Sequence, residues 1–179
     1  MDRIRTAALI SALIIGMSAI VPASSDEPRK IDDPDVYRIY EKVVDLLGDY
    51  PKPKPRTTVP VVEVTDSFTD DNCLPKPDTA DEHAKFDPAL NDFREKNKSK
   101  WKLDASGFQS SRIQLVPITA PVGLRVSVVG FNTDKTAAVV YGFFVCGSLC
   151  GHGMPITFVR TEVGWQVVHV GKTGCQMYS

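Results

Sequence analysis

Two cysteines and a histidine near the C-terminus are the residues of this chain best suited to chemistry. Cys146 and Cys150 enclose three residues, and His152 follows in the stretch Cys-Gly-Ser-Leu-Cys-Gly-His-Gly. Thiolates and imidazoles bind soft metal ions, so these three residues could supply three ligands, and His83 or His169 a fourth. The two cysteines could instead exchange electrons as a thiol pair, although redox pairs typically lie two residues apart at the start of a helix.

A third interpretation of this stretch is a turn that is braced by a disulfide and assigns no catalytic residue. The stretch connects two predicted strands, and the Cα atoms of Cys146 and Cys150 can then fall within the roughly 4.4–6.8 Å that a disulfide requires. Glycines in such a turn permit positive φ angles. We favour this interpretation over the redox one, because the two cysteines lie in a predicted hairpin and not at the start of a helix. A rigid loop on a scaffold can present a recognition surface. The candidate binding loop consists of Gly147, Ser148, Leu149, Gly151, His152 and Gly153.

The chain contains four cysteines, which would pair in one of three ways in an oxidising compartment. If the nearby pair Cys146 and Cys150 forms one disulfide, Cys73 and Cys175 pair by elimination.

No known catalytic arrangement is visible in the sequence. The three histidines are far apart, and there is no nucleophile elbow, zinc-protease motif or phosphate-binding loop. Glu63 and Asp66 could act as paired carboxylates in glycan hydrolysis, which is one alternative function. Metal binding or thiol redox chemistry at Cys146, Cys150 and His152 is the other. We predict no cofactor.

Alternating apolar residues predict strands on both sides of this loop. Residues 124–129 have one apolar face, and residues 137–146 are apolar on both faces, as in a buried central strand. Residues 131–136 contain Asn and Asp, which favour a turn. Residues 155–161 and 165–171 read as two further strands. The result is a four-stranded antiparallel meander.

The same region resembles a family of small, uncharacterised secreted bacterial proteins. The resemblance rests on VSVVGFNTDKT (126–136), VVY (139–141), CGSLCGHG (146–153) and GWQVV (164–168), with further similarity at residues 91–97 and 101–103. It implies the architecture and an exported location, and it implies no activity. The close cysteine pair belongs to the family block, whereas Cys73 and Cys175 lie outside it. This chain departs from the family at its C-terminus, which reads Cys-Gln-Met-Tyr-Ser.

The N-terminus has the features of a secretory signal. Arg3 and Arg5 precede an apolar run and small residues, so we predict a signal peptide over residues 1–23, a flexible tail over 24–31 and one domain over 32–179. The protein would be secreted or periplasmic, with no stable membrane span after cleavage. Signal removal leaves a net charge of about −2, which disfavours nucleic acid as a partner. The expected partner is an envelope or extracellular component.

Two helices are predicted before the meander. The first has Asp33 as its N-cap and Pro34 at its first position, and it ends at Gly48 in a left-handed conformation. Its apolar face consists of Val36, Ile39, Tyr40, Val43 and Leu47. The second runs from Pro88 to about Lys100 and is capped by Asp87.

Three further segments complete the prediction. Residues 51–56 form a proline-rich connector, residues 58–64 form a strand that Pro60 confines to a sheet edge, and residues 113–118 form another strand. We therefore expect an α+β domain with about two helices on one face of an antiparallel sheet of four to six strands. A curved sheet of the cystatin or nuclear-transport-factor type is an alternative arrangement. The predicted function is noncatalytic binding in the bacterial cell envelope.

Overall fold

The computed structural model describes residues 27–50, 55–68 and 73–171. The predicted signal peptide, most of the proline-rich connector and Cys175 lie outside these residues. Two helices are described, α1 (Pro34–Leu47) and α2 (Ala80–Lys96). The strands are β1 (Arg29–Lys30), β2 (Val59–Val62), β3 (Trp101–Lys102), β4 (Ile113–Val116), β5 (Gly123–Val126), β6 (Gly130–Phe131), β7 (Ala137–Gly147), β8 (Cys150–Thr161) and β9 (Gly164–Val170).

The main sheet has the strand order β4-β2-β5-β7-β8-β9, and β6 also pairs with β7. Strands β5, β7, β8 and β9 are antiparallel neighbours, which confirms the predicted meander and the α+β class. The sheet as a whole is mixed, because β2 runs parallel to both β4 and β5. Residues 29–31, assigned above to a flexible tail, belong to the fold. β1 pairs with β3, and Ile31 is buried.

The two helices pack on opposite faces of the sheet, so the prediction that they share one face is wrong. The even-numbered residues Ala138, Val140 and Phe144 of β7 belong to the same buried cluster as α1. The odd-numbered Ala137, Val139 and Tyr141 pack with α2. The sequence pattern of β7 indicates this arrangement, because a strand with apolar residues on both faces needs another layer packed against each face.

Helix α1 begins as predicted and ends for a different reason. The Asp33 side chain accepts a hydrogen bond from the N–H of Asp35, and Pro34 is the first helical residue. Gly48 has a right-handed φ of −63°, so the predicted left-handed conformation is wrong. Glycine is required there for space. An added Cβ would lie 2.6 Å from the Val44 carbonyl oxygen and 2.9 Å from the side chain of Val59.

Helix α2 begins two turns before the predicted position. Its N-cap is Thr79, whose hydroxyl accepts a hydrogen bond from the N–H of Glu82, while Glu82 accepts one from the N–H of Asp78. Thr79 and Glu82 thus have the spacing of a capping box. Pro88 lies inside the helix, where the prediction placed it at the start.

Strand β2 lies inside the sheet, although Pro60 predicted an edge. The N–H groups of Val59 and Glu63 donate to carbonyls on the β4 side. Because backbone groups alternate along a strand, Pro60 faces β5, where the pairing consists of Val61 with Leu124. Pro60 therefore lacks an N–H group on the β5 side, where few backbone hydrogen bonds join the two strands.

A bulge separates β5 from β6, and both helices hold it. Val126 pairs with Gly142, but Gly130 pairs with Val139, so three residues (127–129) oppose two. From α1, the hydroxyl of Tyr40 donates to the Ser127 carbonyl at 2.9 Å. From the end of α2, the Asn97 amide accepts from the Val128 N–H at 2.8 Å and donates to the Val128 carbonyl at 3.0 Å.

Asn97→Ala is expected to lower the free energy of unfolding by about 2 kcal/mol, because it leaves the buried Val128 backbone groups without this partner. Asn97 is 1% exposed. The matched control is Asn91→Ala, which removes an exposed amide of α2 whose oxygen accepts a hydrogen bond from Arg94. Urea unfolding of the three proteins checks the prediction. Equal unfolding midpoints for both variants would contradict the role of Asn97.

Candidate functional site

The loop with the two cysteines is the tip of the β7–β8 hairpin. Cys146 and Cys150 form the predicted disulfide, with their Cα atoms 5.1 Å apart. Gly147 has a positive φ of 146°, as the loop prediction expected of a glycine. Leu149 is 88% exposed at the tip. The hairpin is therefore closed covalently and carries an apolar side chain in solvent.

The other two glycines of the motif serve packing. Gly151 and Gly153 lie opposite Val145 and Phe143 in the ladder. The Phe143 ring covers both glycines so closely that an added Cβ on either would overlap it. An aromatic ring that packs on a cross-strand glycine protects a position that has no side chain of its own.

His152 points to the face of the sheet that α1 covers. Its ring stacks on Tyr50, just beyond the helix, with centroids 4.7 Å apart and planes 22° from parallel. The two rings line an open groove of about 460 Å³, which we call the Tyr50 groove. Leu46 and Tyr50 are 44% and 37% exposed there. The remaining lining residues are Leu47, Asp49, Met154 and Val170.

A charged cluster fixes the segment that carries Tyr50. The Asp49 carboxylate accepts the N–H of Arg56 at 2.7 Å and pairs with the Arg112 guanidinium at 2.9 Å. The Arg56 guanidinium donates to the Tyr50 carbonyl and lies over the ring of Phe144. Its buried Nε has no hydrogen-bond partner among the residues that the structure describes, and it is thereby close to an aromatic face. The Arg56 N–H and then the charge of Arg112 lower the pKa of Asp49, against the opposing effect of partial burial.

The predicted metal and acid-base residues do not come together. His83 contacts Asp87, and His169 lies 3.6 Å from Glu82 on α2, whereas His152 is on the opposite face. In a disulfide, neither cysteine is the thiolate that binds metal. Among the residues of ranges 27–50, 55–68 and 73–171, no group of three or more His, Cys, Asp or Glu could hold an ion.

The predicted carboxylate pair, Glu63 and Asp66, does not share contacts in the described structure. Asp66 lies 3.5 Å from the Arg125 guanidinium, and within the described part of the chain no hydrogen bond joins it to Glu63. Cys73 is disulfide-bonded, and its predicted partner Cys175 lies outside the described residues. The pairing of Cys73 with Cys175 stays a prediction.

Sequence reasoning missed Leu46 and Tyr50 as site residues. Leu46 was a detectable signal, because it is a large apolar residue outside the apolar face of α1. The sequence around Tyr50 contains no such signal, since the role of Tyr50 depends on its contact with His152 of β8, about a hundred residues further along the chain.

Comparison with known proteins gives no further guide to the site. No family model, curated protein or solved structure matches the chain. The resemblance to secreted bacterial proteins therefore stays a prediction. In the described ranges, no helix has the length and apolar character needed to cross a membrane.

Asp49→Asn is expected to destabilise the protein at pH 7 and to lose this effect in acid. The pKa of Asp49 is lower in the folded protein than its ordinary value of 3.8. The carboxylate therefore stabilises the fold above about pH 4, and this contribution disappears as the pH falls through the lowered pKa. Urea unfolding of variant and wild type between pH 7 and pH 2 checks this.

Asp45→Asn is the matched control, because Asp45 contacts the same Arg112, at 3.3 Å, and its side chain is 60% exposed. It should destabilise less than Asp49→Asn at pH 7. A difference between Asp49→Asn and wild type that stays constant down to pH 2 would contradict the assignment.

Proposed function

We propose that the protein is a noncatalytic binding module of the bacterial cell envelope, and that it binds an extended segment of an exported partner along the open edge of β8. The observation that carries this proposal is the length of the hairpin. Strand β9 pairs with residues Ile156 to Thr161 of β8, while β8 begins at Cys150. Within the described residues, the first half of β8 therefore has a neighbour on the β7 side alone.

The backbone groups of this half strand point outwards at the two motif glycines. The carbonyl of Pro155 faces the β9 side, because it accepts the N–H of Gly171. Backbone groups alternate along a strand, so Gly153 and Gly151 direct their N–H and C=O groups to the same open side. An added peptide strand would satisfy these groups, which is how sheet edges bind extended peptides. Neither glycine has a side chain that hinders the approach.

The Tyr50 groove supplies the side-chain contacts for such a strand. His152 and Met154, which alternate with the two glycines, line the groove together with Leu46 and Tyr50. One face of a bound strand would place every second side chain there. Backbone hydrogen bonds then contribute affinity, and the apolar groove selects large apolar side chains.

The exported location is part of the proposal. It is supported by the charged and apolar N-terminal sequence and by the disulfides, which persist in oxidising compartments. The resemblance to secreted bacterial proteins agrees with it.

Export from the native signal should give a protein that begins at Ser24. Its intact mass should rise on reduction by the hydrogens of two disulfides, because the chain has four cysteines. Mass spectrometry of the exported protein, before and after reduction, measures both quantities. A retained N-terminal segment, or an unchanged mass on reduction, would contradict this part of the proposal.

The binding proposal predicts that peptides selected from a displayed random library will bind at Gly151 and Gly153. A selected peptide should slow hydrogen exchange of these two amides. Leu46→Asp should weaken its binding by about tenfold or more, since burial of a leucine side chain contributes about 1.5–3 kcal/mol. Val163→Asp is the matched control, because Val163 is an exposed valine in the β8–β9 turn, outside the groove.

Two outcomes would contradict the binding proposal. Equal weakening by Leu46→Asp and Val163→Asp would show that the groove does not select the peptide. Slow exchange of the Gly151 and Gly153 amides in the free protein would show that the edge is already covered.

A further inference from the structure

A second pocket lies on the other face of the sheet, next to the C-terminal end of α2. It has a volume of about 320 Å³, and we call it the Arg125 pocket. The residues that matter for its chemistry are Asp66, Ser67, Phe68, Lys100, Arg125 and Phe143. It is separate from the Tyr50 groove, because Phe143 and its ladder partner Arg125 point to the face that α2 covers.

The floor of the Arg125 pocket is aromatic and firmly packed. The ring of Phe68 stacks on that of Tyr141, with centroids 3.9 Å apart and planes 15° from parallel. Phe68 also makes an edge contact with Phe93 of α2. Phe143, which is half-buried, completes the apolar surface. A flat apolar group that entered the pocket would therefore meet rings that are already ordered.

The mouth of the pocket carries a surplus of positive charge. The Arg125 guanidinium donates to the Ile118 carbonyl at 3.2 Å and lies 3.5 Å from Asp66. Within the described part of the chain, these contacts leave several of its five donors without a partner. Lys100 is exposed, and its ammonium makes no ion pair or hydrogen bond with any residue that the structure describes. Among the lining residues that the structure describes, two cations thus stand against one carboxylate.

We infer that the Arg125 pocket binds a small organic anion, with an aromatic or apolar body on the Phe68 and Phe143 rings and a carboxylate, sulfonate or phosphate group at Lys100 and Arg125. A cleft of about 300 Å³ or more with apolar walls and a few converging polar groups is the usual form of a small-molecule site. Arg and Lys donate charge-assisted hydrogen bonds to such acids. This site does not depend on the peptide-binding edge, since it uses different residues on the opposite face.

The test uses anilinonaphthalene sulfonate, a fluorescent probe with an aromatic body and one acidic group. We expect saturable binding at one site, with amide shift changes at Ser67, Phe68 and Arg125 in nitrogen-proton spectra. Phenylnaphthylamine, which has a similar body without the sulfonate, should bind about tenfold more weakly, because it cannot use the charge-assisted hydrogen bonds.

Variants locate the acidic group. Arg125→Gln and Lys100→Gln should each weaken sulfonate binding about tenfold and leave phenylnaphthylamine binding unchanged. Lys98→Gln is the matched control, because Lys98 is a nearby exposed lysine that pairs with Glu95. Lys100→Gln alters an exposed side chain and should fold normally, which near-ultraviolet circular dichroism confirms.

Three results would overturn the inference. Absence of saturable sulfonate binding would remove the site. Loss of binding in Leu46→Asp, with normal binding in Arg125→Gln and Lys100→Gln, would place the probe in the Tyr50 groove. Equal affinity for the charged and neutral probes would show that the cations take no part.

Discussion

Burial of both faces of β7 is the constraint on which the rest of the structure depends. A strand with apolar residues on both parities is stable in water only when a layer covers each face. Helix α1 covers the even-numbered residues, and α2 covers the odd-numbered ones. Each helix is fixed to its own face of the sheet by a hydrogen bond to the bulge beside β7. Tyr40 makes this bond from α1, and Asn97 makes it from the end of α2.

The same strand determines where a binding surface can form. Strand β5 pairs with β7 as far as Val145, and β9 pairs with β8 from Ile156 to Thr161. Among the described strands, the Cys146–Cys150 tip of the hairpin therefore extends beyond both neighbours, and the disulfide closes it there. The cluster of Asp49, Arg56 and Arg112 holds Tyr50 against this hairpin. The Tyr50 side of the groove is therefore stabilised by ion pairs and hydrogen bonds, and the β8 side by the disulfide.

Local signals in the sequence were read more accurately than nonlocal ones. The cap of α1 at Asp33, the meander and the close disulfide depend on residues near one another in sequence, and each is confirmed. The predicted start of α2 is wrong because it rested on Asp87 and Pro88 and did not consider the capping box of Thr79 and Glu82. The interior position of β2 and the role of Tyr50 depend on distant strands, and no pattern within either segment encodes them. The loop between Cys146 and Cys150 lies at a hairpin tip as predicted, its role in binding stays a prediction, and the groove beside it was not foreseen.

The glycines of the cysteine motif support the proposal that this stretch, although rich in reactive residue types, serves in binding. Phe143 needs Gly151 and Gly153 beneath its ring, so these positions cannot carry functional side chains. The cysteines are consumed in a disulfide, and the histidine is stacked on Tyr50. Apart from Ser148 and Leu149 at the tip, what the motif leaves accessible among the described residues is backbone, in an extended and covalently held form. Backbone groups at a rigid open edge recognise another strand, and this chemistry requires neither a thiolate nor a free imidazole.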